Sequence, residues 1–385
     1  MVVTIEDVAR ALEELAPPGL AEPWDRCGLQ VGDPRAPVHA VLVALDPSPQ
    51  ALSEALRRRA QLLVTHHPLL LEPPASLDLS TPLPRLLADF IRSDVGVYAA
   101  HTSLDRAPGG VNDALARCLG LGEVRCLGSG ETLYKLVVTI PLGYEDPVRR
   151  ALAAAGAGKI GKYEGCGFGC RGMGVFVPRE GARPFLGEPG KEERADETRW
   201  EVVVRRSALP GALAAVRREH PYEEPAVDVY ALEGTVSEGG LGRWGVLPAP
   251  RTLGEWARDV AQVLGAGSAR LVGDPRAVVE RVGVCGGSGT SLWPQAVAAG
   301  VQVLVTGDVK YHAALEARQA GLALLDVGHA PSERVAIDVV VAHLASWAGR
   351  SGVGLEVSAF READPFLPVE ISGGPRGARC EKTLL

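Results

Sequence analysis

The chain has 385 residues, 46% hydrophobic and 23% charged, and its 40 basic and 47 acidic side chains leave a net charge of −7. These proportions belong to a globular protein with a packed core and exclude disordered and fibrous chains. An acidic balance also argues against general nucleic-acid binding, which depends on lysine and arginine neutralising phosphates.

At roughly 100 to 200 residues per domain, this length predicts two or three domains. Apolar residues recur at helical spacing over 5–15, a buried-strand run follows at 40–45, and 49–60 is helical again. Strand, helix and strand continue at 61–65, 83–92 and 96–100. Strands alternating with helices predict parallel βαβ units, so residues 1–130 are expected to form an α/β half. Between 131 and 236 the pattern changes to strand 134–140, helix 147–155, strands 168–177 and 199–205, helix 209–219 and strand 226–232. That β-α-β-β-α-β order is the ferredoxin-like split motif, which predicts an inserted α+β domain with an exposed loop at 181–196. Residues 237–372 resume the α/β pattern with helices at 253–264, 291–299, 311–320 and 332–347 and strands at 282–285, 301–306 and 322–327, before a short last strand and a tail at 373–385. QLLVTHH at 61–67 echoes QVLVTGD at 302–308, so the two α/β halves are expected to be related and to face a shared crevice.

No apolar run reaches membrane-spanning length, and 335–347 is interrupted by Asp338. Glu6 and Asp7 stand where a secretory leader needs positive charge, so a cytoplasmic protein is expected. Seven scattered cysteines do not form a disulfide scaffold, and Cys166 with Cys170 lacks the second pair of a zinc knuckle.

Open α/β sheets bind ligands beyond the carboxyl ends of their strands. Three strands end in polar residues: one in His66 and His67, one in His101 with Asp105 four residues on, one in His329 with Glu333 one helical turn on. Four of the eight histidines fall in these segments. Each alone reads as an ordinary hydrogen-bonded histidine; together, imidazoles and carboxylates suit Zn, Fe, Mn, Co or Ni. Five such ligands exceed one tetrahedral zinc with an open position and fit two ions about 3.5 to 4 Å apart, bridged by carboxylate and water. Ligation by both His66 and His67 requires the chain to turn at Pro68, because neighbouring strand residues point to opposite faces.

THHP at 65–68, HTSLD at 101–105 and GHAPSE at 328–333 resemble the signature motifs of the NIF-three-like family, also called the GTP cyclohydrolase I type 2 homologue family. WDRCGLQVG at 24–32, TGDVKYH at 306–312, GKYEGCGFGCRGMGVFVP at 161–178 and HPYEEPAVDVY at 220–230 extend the resemblance over nearly the whole chain. It implies two α/β halves around a dinuclear metal site, with an inserted PII/CutA-like domain. It also implies that His66, His67, Asp105, His329 and Glu333 hold two divalent ions, with His101 beside them, in a ring-shaped homohexamer. The chain departs from the usual wording at Arg26, Cys27 and Ser103, and at none of the five implied ligands.

Such a centre predicts metal-dependent hydrolysis, with GTP ring opening as the activity the family name implies; phosphoester hydrolysis needs similar ligands. His101 and His312 are the candidates for proton transfer. Gly287, Ser288 and Gly289, after a strand and before a helix, form either an anion cradle for a nucleotide substrate or a tight turn. GFGCRG at 167–172 precedes a strand rather than a helix, which excludes a dinucleotide site, and no P-loop motif occurs. Arg205, Arg206, Arg217 and Arg218 read as a solvated face or a subunit contact. The alternative to an enzyme is a non-catalytic metal-binding or regulatory ring.

Overall fold

The computed structural model describes residues 2–128, 131–161, 163–236 and 240–367; the tail expected at 373–385 lies outside them. Residues 28–44, 62–99 and 356–359 supply one five-stranded sheet in the order Gly28–Val31, Gly96–Ala99, Leu62–Thr65, Ala40–Ala44, Glu356–Ala359. The last four run parallel and the first is antiparallel. Every residue of Ala40–Ala44, Leu62–Thr65 and Gly96–Ala99 is buried, as a parallel sheet covered on both faces requires. Val41, Val43, Leu62 and Val64 pack on helices Ile5–Leu15 and Val335–Ser351, whereas Leu42, Ala44, Leu63 and Val97 pack on Pro49–Arg57 and Pro82–Arg92. The helix starts are encoded locally: Thr4 and Asp7 form a reciprocal capping box, and Ser48 caps the helix that begins at Pro49.

The second sheet has six strands, in the order Arg270–Val272, Ala323–Asp326, Val303–Thr306, Val278–Val284, Gly242–Thr252, Gly122–Leu127. Its core repeats the first: three parallel strands with an antiparallel strand beside the last. The echoed glutamines do the same work in both. Gln61 Oε1 accepts from the His39 and Ala40 amides, and Gln302 Oε1 from the Glu280 and Arg281 amides.

The sheets exchange edges. Gly122–Leu127, early in the chain, closes the second sheet, while Glu356–Ala359, late in the chain, closes the first. Strands Gly28–Val31, Gly122–Leu127, Gly242–Thr252 and Arg270–Val272 are absent from the sequence expectation, for visible reasons. Gly242–Thr252 contains Pro248 and Pro250, which a strand tolerates only where pairing lapses, and its register does shift between Val246 and Arg251. Gly122–Leu127 is a half-exposed edge with charges at Glu123 and Arg125 and no long apolar run. The expected helix 332–347 is two helices, His329–Glu333 and Val335–Ser351.

Residues 131–236 form a separate four-stranded antiparallel sheet in the order Gly167–Phe176, Glu193–Arg205, Glu131–Pro141, Val227–Val236. Helices Glu145–Ala154 and Leu209–Glu219 cover one face and close a core of their own around Leu136, Ile140, Leu152 and Val216. The element order is the β-α-β-β-α-β read from the sequence.

Candidate metal centre

Strand Leu62–Thr65 stops before both histidines, so the opposite projection of neighbouring strand residues does not apply to His66 and His67. The Thr65 hydroxyl donates to the His67 carbonyl at 2.7 Å and closes a turn into Pro68, leaving the two rings 5.1 Å apart and tilted by 48°. Strand Gly96–Ala99 leads to His101, at the start of the short helix Thr102–Arg106 that carries Asp105. In the second sheet, Ala323–Asp326 passes through Gly328, at φ +87°, into helix His329–Glu333. One turn brings His329 Nε2 and Glu333 Oε2 to 3.0 Å.

Residues from the two sheets meet at the seam. Glu333 Oε2 is 3.0 Å from His67 Nε2, and Glu333 Oε1 is 3.7 Å from His66 Nε2. His66 Nε2 is also 3.6 Å from Asp105 Oδ1. Donor atoms of His67, His329 and Glu333 lie within 4.8 Å of one another, as do those of His66, His67 and His101. His66, Asp105 and Glu333 are buried, at 2%, 8% and 4% exposed.

The outward nitrogens decide what the inward ones can do. His66 Nδ1 donates to the Ala100 carbonyl at 2.9 Å, His67 Nδ1 to Asp46 at 2.8 Å, His101 Nδ1 to Asp25 at 2.8 Å and His329 Nδ1 to Asp308 at 2.6 Å. Carbonyl and carboxylate oxygens only accept, so all four Nδ1 atoms carry the proton. In the neutral form that a metal requires, each ring would turn its Nε2 lone pair inward, beside two buried carboxylates. His67 Nε2 and His329 Nε2 stand 3.2 Å apart in this arrangement. Two ring nitrogens at that separation need a proton or a metal ion beside them. The donor set fits a divalent metal: His66 Nε2 and Asp105 Oδ1 are buried without any hydrogen-bond partner, an expensive state that coordination relieves.

Protonation answers the same field. Burial works against charged imidazole at His67, but Asp46 and Glu333 outweigh it and push its pKa up to about 10. The Glu333 hydrogen bond, against burial and with help from Asp308, raises His329 to about 9. Burial raises Asp105 to about 6, opposed by His66 and reinforced by Glu333. Glu333 is held well below the carboxylate range, because the neighbouring His329, His66 and His67 rings overcome its burial. Burial alone would raise Asp25, yet hydrogen bonds from His101 and Thr102 keep it low.

A profile of the family described as Duf34/NIF3 (NGG1p interacting factor 3) matches residues 3–365. A Bacillus subtilis protein named GTP cyclohydrolase 1 type 2 homolog is 38% identical over 365 residues, covering 94% of this chain and 97% of its own length. The chain belongs to the Duf34/NIF3 family. A Mycobacterium tuberculosis relative with the same protein name is 41% identical over 339 residues, 86% of this chain and 89% of its own. Among solved structures, a Bacillus cereus protein related to NIF3 superposes with a TM-score of 0.74 at 36% identity, covering 96% of this chain and all (100%) of that one. Staphylococcus aureus protein SA1388 gives 0.72 at 29% identity, covering 96% and 99%.

Other residues singled out in this Duf34/NIF3 chain are placed differently. His312 lies exposed on helix Tyr311–Gln319, packed edgewise on Tyr311 with centroids 5.4 Å apart, and it joins neither donor cluster. In the glycine loop, the Gly287 amide donates to Ser332 Oγ at 2.9 Å and the Gly289 amide to Thr306 Oγ1 at 2.8 Å, while Ser288 is exposed. Those two amides are spent inside the protein rather than held open for an anion. What the loop offers is space: a Cβ on Gly287, at φ +60°, would stand 2.1 Å from Glu333 Oε1. The six described cysteines are all free.

Sequence reasoning assigned no role to Asp25, Asp46 and Asp308, the carboxylates that orient three imidazoles. A signal existed. Asp46 and Asp308 each follow one parallel strand and lie 21 residues before a histidine that follows the next. Asp308 adopts a left-handed backbone, φ +54°, beside Gly307, where a Cβ would press to 2.8 Å on Gly328.

Proposed function

We propose that this protein binds two divalent ions, from among Zn, Fe, Mn, Co and Ni, and is a metal-dependent hydrolase acting on a nucleotide, with GTP ring opening as the leading reaction. The observation that carries the reading is the division of Glu333: Oε2 faces His67 and His329, Oε1 faces His66, and Asp105 faces the same His66 nitrogen. On this reading His67, His329 and Glu333 hold one ion and His66, Asp105 and the other oxygen of Glu333 hold the second. Bound divalent ions would supply Lewis-acid polarisation and a water nucleophile at neutral pH. His101, with Nδ1 fixed by Asp25, would hold or move a proton at Nε2. Trp24, 58% exposed and set edgewise 6.0 Å from His101, offers a plane on which a purine can stack.

The ring-shaped homohexamer, the PII/CutA-like character of the insert and a cytoplasmic location belong to the same proposal. Among the described residues no helix is long and apolar enough to cross a membrane. Light scattering on the purified protein tests the hexamer. Metal analysis with a GTP turnover assay tests the enzyme: formate release that disappears in Asp105→Ala while the oligomer persists supports it. Phosphate release without formate indicates a phosphoesterase, and a metal-loaded protein inert toward GTP and phosphoesters favours a regulatory ring. His66→Ala and Glu333→Ala should each lose metal and remain folded; full metal content in both overturns the ligand assignment.

A further inference from the structure

The insert holds a second set of buried polar groups, with chemistry unlike that of the histidine cluster. Glu197, on strand Glu193–Arg205, is 7% exposed, and its carboxylate makes no ion pair with a lysine or arginine among the described residues. It faces the buried Tyr222 hydroxyl, whose pKa burial and the Glu197 carboxylate push up. Gly174 makes room for the acid: a Cβ there would stand 2.2 Å from Glu197 Oε2, so the carboxylate lies against the backbone of the neighbouring strand. Tyr222 is held in place by His220, whose Nε2 donates to the Thr139 carbonyl at 2.8 Å while its Nδ1 accepts the Tyr222 amide at 3.1 Å.

Both groups line a cavity of about 470 Å³, within the usual size for small-molecule sites. Phe176 and Phe185 flank Tyr222 with ring centroids 6.0 and 6.1 Å away. Glu223 and Glu224 stand exposed on the lining, and no lysine, arginine or histidine occurs among its described residues. Three carboxylates without a counter-charge repel phosphates and carboxylates, so this is no nucleotide site. A bare metal ion is also a poor occupant, because no group of three metal-ligating side chains converges here among the described residues. A group that donates hydrogen bonds, carries positive charge and is attached to an apolar body satisfies every wall: Glu197 and the Tyr222 oxygen accept, and the ring faces attract the cation.

We infer that the inserted domain binds a small organic cation, an ammonium or amidinium on an aromatic or aliphatic body, with the charge on Glu197 and the body against Phe176, Phe185 and Tyr222. The site is independent of the metal centre. Calorimetry and ligand-detected NMR on the full chain test it with three probes of one shape: benzylammonium, benzyl alcohol and benzoate. Benzylammonium should bind at least about tenfold more tightly than the alcohol, as expected for a charge-assisted bond, and benzoate should not bind. Glu197→Gln, which keeps the shape and removes the charge, and Gly174→Ala, which displaces the carboxylate, should each weaken benzylammonium by about tenfold or more. Glu333→Ala should leave that binding unchanged. Equal binding of all three probes, no binding of benzylammonium, or full binding by a folded Glu197→Gln protein overturns the inference.

Discussion

Gly287→Ala isolates the geometry of the metal centre from its chemistry, since it removes no donor atom. The new Cβ would lie 2.1 Å from Glu333 Oε1 and 3.3 Å from His329 Cε1, where real Cβ contacts do not fall below 3.0 Å. The carboxylate must retreat by about 1 Å, several times the roughly 0.2 Å within which metal–ligand distances are held. The backbone adds a smaller penalty: left-handed φ costs a non-glycine residue about 1–2 kcal/mol. Metal-free protein should therefore lose about 1–2 kcal/mol of unfolding free energy, which a chain of this size survives. Metal affinity should fall by at least about tenfold, so the metal-loaded protein loses a further 1.4 kcal/mol or so through linkage. Urea titrations with and without chelator, beside metal analysis by mass spectrometry, read both numbers. Equal losses in the two states with undiminished metal content would refute the placement of Glu333 as a ligand.

The Nδ1 partners should matter without touching an ion: Asp46→Ala and Asp308→Ala should each lower metal affinity about 10- to 100-fold in chelator competition, and unchanged affinity in both would show that ring orientation is set elsewhere. In metal-free protein, His67 and His329 have folded pKa values of about 10 and 9, above the unfolded value near 6.5. Their stabilisation is complete below pH about 6.5 and is lost as pH rises through 9 to 10, so the chelated protein's urea midpoint should fall across that range while the loaded protein's holds; a flat chelated profile contradicts the assignment. Arg243, 2% exposed, pairs with Asp113 and donates to the carbonyls of Gly240, Gly242, Arg106 and Ala107; Arg243→Leu should cost about 3–5 kcal/mol in urea unfolding, and a loss below about 1 kcal/mol would show that these acceptors find other donors.

The legible parts of this fold are those where one physical signal dominates. Parallel strands such as Leu62–Thr65 and Val303–Thr306 are wholly buried and therefore appear as unbroken apolar runs. Edge strands carry mixed signals: Arg270–Val272 is three residues long, and Gly242–Thr252 holds prolines at its register shift. Which strand closes which sheet is not written locally at all. The partner of Gly122–Leu127 lies more than a hundred residues on, across the whole insert. The candidate ligands were legible because imidazoles and carboxylates are scarce and sit just past strand ends. Their orienting partners were not, because Asp25 lies 76 residues from His101 and an isolated aspartate after a strand has no distinctive signature until the neighbouring strand end is known.

Ligands drawn from two sheets would be loose if the sheets were free to shift, and the structure shows why they are not. Besides the exchanged edge strands, Asn112 is fully buried at the seam: its amide donates to the carbonyls of Asp105 and Leu241, and its oxygen accepts the Gly286 amide at 2.8 Å. One side chain thus ties the helix bearing Asp105 to the glycine loop that abuts Glu333. Arg243 repeats the link through Asp113 and the carbonyls of Arg106 and Ala107. With both sides fixed, the cluster cannot relax by shifting its side chains, and the buried His66 Nε2 and Asp105 Oδ1 are left unpartnered. Rigidity of the frame, rather than any single donor, is what would preorganise this cluster for a cation: a softer seam would close the gap with ordinary hydrogen bonds.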